Sequence, residues 1–209
     1  MSILYYIHDP MCSWCFGYRP VWQKIEQSLA DRITTKYILG GLAPDTDEAM
    51  PSEMKSYIQQ TWRRISEQLG TEFNFEFWNK CNPRRDTYKA CRAVLAARWQ
   101  DKEKEMIHEI QDAYYLKAIN PSDYDNLQNI SRSLLLDEQR FTDDIMSAAL
   151  DAELMEEIQF ARSLPIQGFP SLVLKVDDSL FPIQVNYHDD VETTNQILEV
   201  VNHSSNMCK

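Results

Sequence analysis

The chain has no apolar run approaching the roughly 20 residues that a membrane-spanning helix requires, so no membrane partner is expected. Positive charge is scarce too: 21 Lys and Arg stand against 32 Asp and Glu, a formal net charge of −11. That balance repels a nucleic-acid backbone or an anionic bilayer unless a local basic patch offsets it. The two candidate patches, Trp62-Arg63-Arg64 and Pro83-Arg84-Arg85, read as a solvated helix face and a helix start, so no nucleic acid is expected either. Met1-Ser2-Ile3 offers no basic segment ahead of its apolar residues, and the expectation is a chain that is not exported and works in the cytoplasm. The five cysteines form an odd set without a regular framework, which argues against a disulfide-stapled secreted scaffold. His108, His188 and His203 show no spacing that suggests a metal site or a triad, and there is no internal repeat. What is present is ordinary for a soluble globular protein: 44 % hydrophobic and 25 % charged residues over 209 positions, enough for one core with an inserted subdomain.

Against this background stands Cys12-Ser13-Trp14-Cys15, directly after the apolar run Ile3-Leu4-Tyr5-Tyr6-Ile7 and directly before a helical pattern. A helix N-terminus leaves backbone N–H groups unsatisfied and carries partial positive charge, which favours a thiolate. Cys12 is then the attacking sulfur, and Cys15, one helical turn on, can close a disulfide with it or resolve a mixed one. Two other readings of the motif are a half zinc site and an inert pair of core cysteines. Zinc would need a second pair at similar spacing, whereas Cys81 and Cys91 are ten apart with Asn82-Pro83 between them, so no metal is expected. Cys81 is a candidate auxiliary thiol, Cys91 falls on a helical apolar stripe, and Cys208 reads as an exposed bystander.

The hydrophobic pattern predicts a strand buried on both faces at Ile3–Ile7, a helix from Trp14 to about Ala30 that includes Pro20, and a strand at Ile33–Leu39 ended by Gly40-Gly41. The crossover rule makes these two strands parallel. Between about Pro51 and Pro165 the period turns helical, with stripes at Tyr57-Trp62-Ile65-Leu69, Tyr88-Cys91-Leu95-Trp99, Met106-Ile110-Ala113 and Tyr124-Leu127-Ile130-Leu134. Pro121-Ser122 is the start signal of the fourth, and two further helices are expected at Phe141–Ala149 and, after Asp151, Leu154–Leu164. Phe73-Asn74-Phe75-Glu76-Phe77-Trp78 alternates like a strand and reads equally as an aromatic loop over a cleft. A hairpin follows at Leu172–Val176 and Leu180–Val185, with Pro182 marking an edge, and a helix at Val191–His203 closes the chain. The layout predicts an α/β sheet domain built from residues 1–45 and 165–209, with residues 46–164 as an inserted helical domain.

Gly168-Phe169-Pro170-Ser171 sits immediately before the third strand, far in sequence from the cysteine pair. Together with Asp9-Pro10-Met11-Cys12-Ser13-Trp14-Cys15 and the split sheet, it resembles the DsbA-like branch of the thioredoxin superfamily over essentially the whole chain, and more narrowly the FrnE-type proteins described as protein-disulfide isomerases. The resemblance implies a thioredoxin-like fold with a helical insertion. It also implies thiol-disulfide oxidoreductase or isomerase activity on protein or small-molecule thiols and disulfides. By resemblance Pro170 is cis and packs beside the nucleophilic cysteine, where the preceding backbone pairs with substrate. Trp14 and Phe169 are expected on the substrate side, Phe169 alternatively in the core. Strongly oxidising relatives carry His where this chain has Trp14, which implies a less oxidising centre here. Kappa-class glutathione transferases and hydroxychromene-carboxylate isomerases carry serine where this chain has Cys12. His8 and Asp9 flank the site as tuning or proton-shuttling groups, or as packed side chains at the strand end. No cofactor is required by this reading, and a glutathione or thioredoxin pool is the expected electron partner. The alternatives are a glutathione-dependent isomerase or transferase on a small hydrophobic substrate, and a non-catalytic peptide-binding or chaperone module.

Overall fold

Strand β1 (Ser2–His8) lies inside a four-stranded sheet of order β2-β1-β3-β4, and its alternation explains why it is apolar on successive residues. Leu4 and Tyr6 enter the large core on one face, while Tyr5 and Ile7 enter a smaller core on the other. The computed structural model describes residues 2–207, so Cys208 lies outside the described residues. Helix α1 (Ser13–Leu29), with Pro20 inside it, leads into β2 (Thr34–Leu39), which pairs parallel to β1 as the crossover rule requires.

The helical segment then runs as α2 (Ser52–Leu69), α3 (Phe77–Lys80), α4 (Tyr88–Arg98), α5 (Glu103–Tyr115), α6 (Tyr124–Ser133), α7 (Glu138–Ile145) and α8 (Ala148–Ser163). It returns to β3 (Ser171–Val176) and β4 (Ser179–Ile183), antiparallel to each other, and ends in α9 (Asp190–Met207). Asp177 has φ +51° in the two-residue hairpin turn, a left-handed conformation that Asp tolerates. Pro182 sits on β4, an edge strand, where its missing N–H costs least.

Helices α1 and α9 cover one face of the sheet, and α8 covers the other through Ala161 together with Leu164, the residue that ends it. The large core is continuous from Leu4, Trp22 and Leu174 at the sheet to Trp62, Leu95 and Phe141 in the helices.

Three local expectations shift. Helix α6 begins at Tyr124 rather than at Pro121-Ser122, because the Ser122 hydroxyl is spent donating to the Asp86 carbonyl at 2.9 Å. The break before α8 falls earlier than Asp151, because Ser147 accepts from Leu150 N at 3.2 Å and caps the helix. Residues Phe73 to Trp78 form no strand; they are a loop running into α3, and Phe73, Phe75, Phe77 and Trp78 all pack against the fully buried Trp62 ring.

Candidate active site

The end of β1 and the start of α1 bring the cysteines into position. Cys12 is the residue that caps α1, with extended backbone (φ −83°, ψ 116°), and its amide donates to the Asp9 carbonyl at 3.0 Å. Its own carbonyl accepts from Phe16 N at 3.0 Å, closing the first helical turn. Cys15, one turn on, is 0 % exposed against 7 % for Cys12. Burial pushes the Cys15 thiol well above its ordinary pKa, and its hydrogen bond with Cys12 adds to the rise. The four described cysteines are free thiols.

The Cys12 sulfur lies 3.6 Å from the carbonyl oxygen of Phe169, although 157 positions separate the two residues. The Phe169–Pro170 bond is cis, as the resemblance implied. Pro170 is buried, while Phe169 is half-buried, lining the cleft and also packing against the smaller core. The Phe169 ring lies over Gly40 so closely that a Cβ there would stand 2.1 Å from two of its carbons, which is why the strand ends on glycine. The cleft, of about 200 Å³, is lined by Cys12 and Trp14, by Leu42 after β2, by Tyr57 and Trp62 of α2, and by Arg85, among others. Trp14 stands at its rim under the Arg64 guanidinium, 5.3 Å away, and edge-on to Tyr187 at 5.3 Å.

Asp9 is fully buried and is not among the residues that line the cleft. One carboxylate oxygen accepts from Met11 N at 2.8 Å, and the other from Leu42 N and Thr87 Oγ1, each at 2.7 Å, and from Cys91 Sγ at 3.6 Å. Burial raises its pKa while the bonds from Leu42, Thr87, Met11 and Cys91 pull it back. One side chain thus ties the Cys12 loop to the segment after β2 and to the start of α4. His8 is also fully buried, stacked on Tyr6 at 5.1 Å and edge-on to Tyr37 at 5.6 Å. Neither ring nitrogen has a partner among the described residues, and burial, with Arg98 adding, lowers its pKa to about 3, so the ring is neutral.

Cys81 opens instead onto a separate groove beside Arg84 and Asn120, where its thiol donates to the Ala118 carbonyl at 3.2 Å. Cys91 is in the core, as its stripe implied. The aromatic loop does not cover the cleft: none of residues 73–78 lines it, and the loop instead backs Trp62, which does. Among the described residues no cluster of three or more His, Cys, Asp or Glu side chains is arranged to hold a metal, and no helix is long and apolar enough to cross a membrane. Sequence reasoning missed Arg85, Tyr57, Thr61 and Tyr114 as cleft residues, since it read their segments as solvated or core-facing.

A protein from Nitrosomonas europaea provisionally described as a protein disulfide isomerase is 28 % identical, with a TM-score of 0.84 over 97 % of this chain and 98 % of that one. The cytosolic disulfide reductase DsbM from Pseudomonas aeruginosa is 20 % identical at a TM-score of 0.74, covering 99 % of this chain and 98 % of its own; its structure with GSH gives 0.72 at 19 % identity. Among curated relatives, the ClpXP adapter protein SpxH of Halalkalibacterium halodurans is 21 % identical over 205 residues; the match covers 94 % of this chain but only 66 % of that protein's length. The family model described as Thioredoxin matches residues 5–195, and with the sheet order, the Cys12 helix start and the cis-proline carbonyl beside it, the chain belongs to the thioredoxin family and has the α/β fold with helical insertion of its DsbA-like members.

Proposed function

We propose that this protein is a thiol-disulfide oxidoreductase, with Cys12 attacking and Cys15 resolving. The observation that carries the reading is the Cys12 sulfur at the start of α1, open to a cleft and 3.6 Å from the Phe169 carbonyl, with a buried thiol one turn behind it. Cys12 caps α1 and is the one of the pair that lines the cleft, so it is the sulfur a substrate meets, while burial keeps Cys15 protonated in the resting dithiol. The Cys12 thiolate attacks a substrate disulfide R–S–S–R, forming a Cys12–S–S–R bond and releasing RS⁻. Cys15 then loses its proton and attacks the Cys12 sulfur, forming the Cys12–Cys15 disulfide and releasing the second RS⁻. The substrate gains two electrons and the protein loses two, to be restored by a thiol pool such as glutathione or thioredoxin; the opposite direction makes disulfides.

The Phe169 backbone aligns the incoming disulfide, Pro170 holds that backbone, and Trp14 and the Phe169 ring contact substrate. The sheet domain of residues 1–45 and 165–209 supplies the thiols and Phe169, and the helical insertion of residues 46–164 supplies the facing wall. No metal or organic cofactor takes part, and the working compartment is the cytoplasm.

The test is trapping. Cys15→Ser should hold a mixed disulfide with an oxidised substrate on a non-reducing gel, whereas Cys12→Ser should hold none, because only the first keeps the attacking sulfur without the resolving one. Equal trapping by both, or by neither, defeats the dithiol mechanism. A binding role, which the adapter relatives support, predicts partner capture unchanged in the double Cys12→Ser, Cys15→Ser protein. A glutathione-dependent isomerase or transferase predicts turnover that needs glutathione and survives Cys15→Ser.

A further inference from the structure

We infer that Arg85 is a specificity-determining residue that holds a carboxylate of the substrate, so that the cleft takes small anionic thiols and disulfides in preference to neutral or cationic ones. The inference rests on the oxidoreductase reading and names its substrate class. Among the described residues Arg85 is the one charged side chain that lines the cleft shared with Cys12. Its neighbours in sequence are both engaged: Arg84 pairs with Asp123 and donates to the Ser122 carbonyl at 2.9 Å, and Asp86 pairs with Lys89 at 2.9 Å. Arg85 alone of the three has neither an ion pair nor a hydrogen bond among the described residues. In a chain whose acids outnumber its cations 32 to 21, a half-buried guanidinium left without a carboxylate is a group whose partner comes from outside.

The surroundings fit such a guest. Asp9, the carboxylate beside the cysteine loop, is 0 % exposed and occupied by its own four donors, so it does not compete for Arg85. Arg64, over Trp14 at the rim, adds a second cation without an ion pair among the described residues. The backbone on either side of Arg85 is held, by the bridge of Ala49 with Arg84, by Met50 N to the Pro83 carbonyl at 2.9 Å, and by Thr87 N to the Ala43 carbonyl at 3.1 Å. A planar guanidinium on a fixed segment presents two parallel N–H groups to a carboxylate. The volume of about 200 Å³ lies below the roughly 300–1,000 Å³ of drug-sized pockets, which suits a small thiol. The remaining wall is mostly apolar and aromatic, with the hydroxyls of Ser13 and Thr61, and among the described residues it holds no carboxylate to pair an ammonium, whose charge Arg85 and Arg64 oppose.

The experiment compares the unsubstituted protein with Arg85→Met and Arg85→Lys on dithiodipropionate, bis(2-hydroxyethyl) disulfide and cystamine, which are anionic, neutral and cationic. The expected result is that Arg85→Met lowers the ratio of kcat/KM for dithiodipropionate to that for the neutral disulfide about tenfold, the size of one lost charge-assisted hydrogen bond, with Arg85→Lys in between. An unchanged ratio overturns the inference, whether or not both rates fall together. Alkylation of Cys12 by iodoacetate against iodoacetamide, read by peptide mass spectrometry, separates this from failure of the oxidoreductase reading. If no disulfide is turned over, a lower iodoacetate-to-iodoacetamide rate ratio in Arg85→Met still supports the anion site, and an equal ratio removes it.

Discussion

Replacing Gly40 by alanine tests how tightly the cysteine and the Phe169 carbonyl are coupled. A Cβ at position 40 would lie 2.1 Å from Cε1 and Cζ of the Phe169 ring and 2.9 Å from Cε2, whereas ordinary contact begins at 3.4 Å. The ring must therefore retreat by about 1.3 Å, the difference between those two distances. Gly40 itself cannot yield easily, since its amide donates to the His8 carbonyl at 2.7 Å at the end of the parallel ladder. Overpacking of this kind costs roughly 1–3 kcal/mol, and at this chain length each kcal/mol lowers Tm by about 2–4 °C. The larger consequence is positional. Phe169 carries the carbonyl that lies 3.6 Å from the Cys12 sulfur, and misplacement by about 1 Å can cost on the order of 100-fold in rate. Gly40→Ala should accordingly fold, with a modestly lower Tm, and reduce a disulfide substrate about 10- to 100-fold more slowly. Alkylation of Cys12 by iodoacetamide, which needs only the sulfur, should change far less. Gly168→Ala is the control, because a Cβ there meets nothing within 4 Å. Wild-type turnover by a folded Gly40→Ala protein would refute the coupling, as would an equal loss in both variants.

Alkylation of the reduced protein at mildly acidic pH should label Cys12 well before Cys15, which is fully buried with its thiol held protonated; peptide mapping that finds Cys15 first reverses their roles. His8→Phe should flatten the acid limb of stability. The folded ring stays neutral down to about pH 3 while the unfolded chain takes up its proton near 6.5, so the stability tied to this group is complete above 6.5 and is lost as pH falls toward 3. The slope is about 1.4 kcal/mol per pH unit, and parallel urea-unfolding curves for the two proteins from pH 7 to 4 would contradict the burial argument. Asp9→Ala leaves the Met11 amide unpaired in the interior and removes the acceptor shared by Leu42 N and the Thr87 hydroxyl, and should cost about 3 kcal/mol in urea unfolding at pH 7, with a loss below about 1 kcal/mol counting against its role as a tie.

Much of this was legible in the residues themselves. Ile3–Ile7 announces a strand buried on two faces because successive apolar side chains have no other way to avoid water, and the α1 stripe Trp22-Ile25-Leu29 states its period outright. Cys12 and Cys15 are separated by one helical turn, so their proximity is local and follows from spacing alone. Ser147 shows where local reading falls short, since a single capping side chain outweighs the apolar pattern in setting the start of α8.

The tertiary structure decided everything that depends on long loops closing. Phe169 meets Cys12 across 157 positions, and Thr87 meets Asp9 across 78, because the sheet closes between β1 and β3 and because α4 packs over the end of β1. Periodicity assigns a residue to a face but not to a neighbour, so Arg84 and Arg85 look alike in the sequence. Only the fold turns the first toward Asp123 and leaves the second facing a thiol cleft, because which carboxylate comes within reach is set by chain segments brought together from far apart.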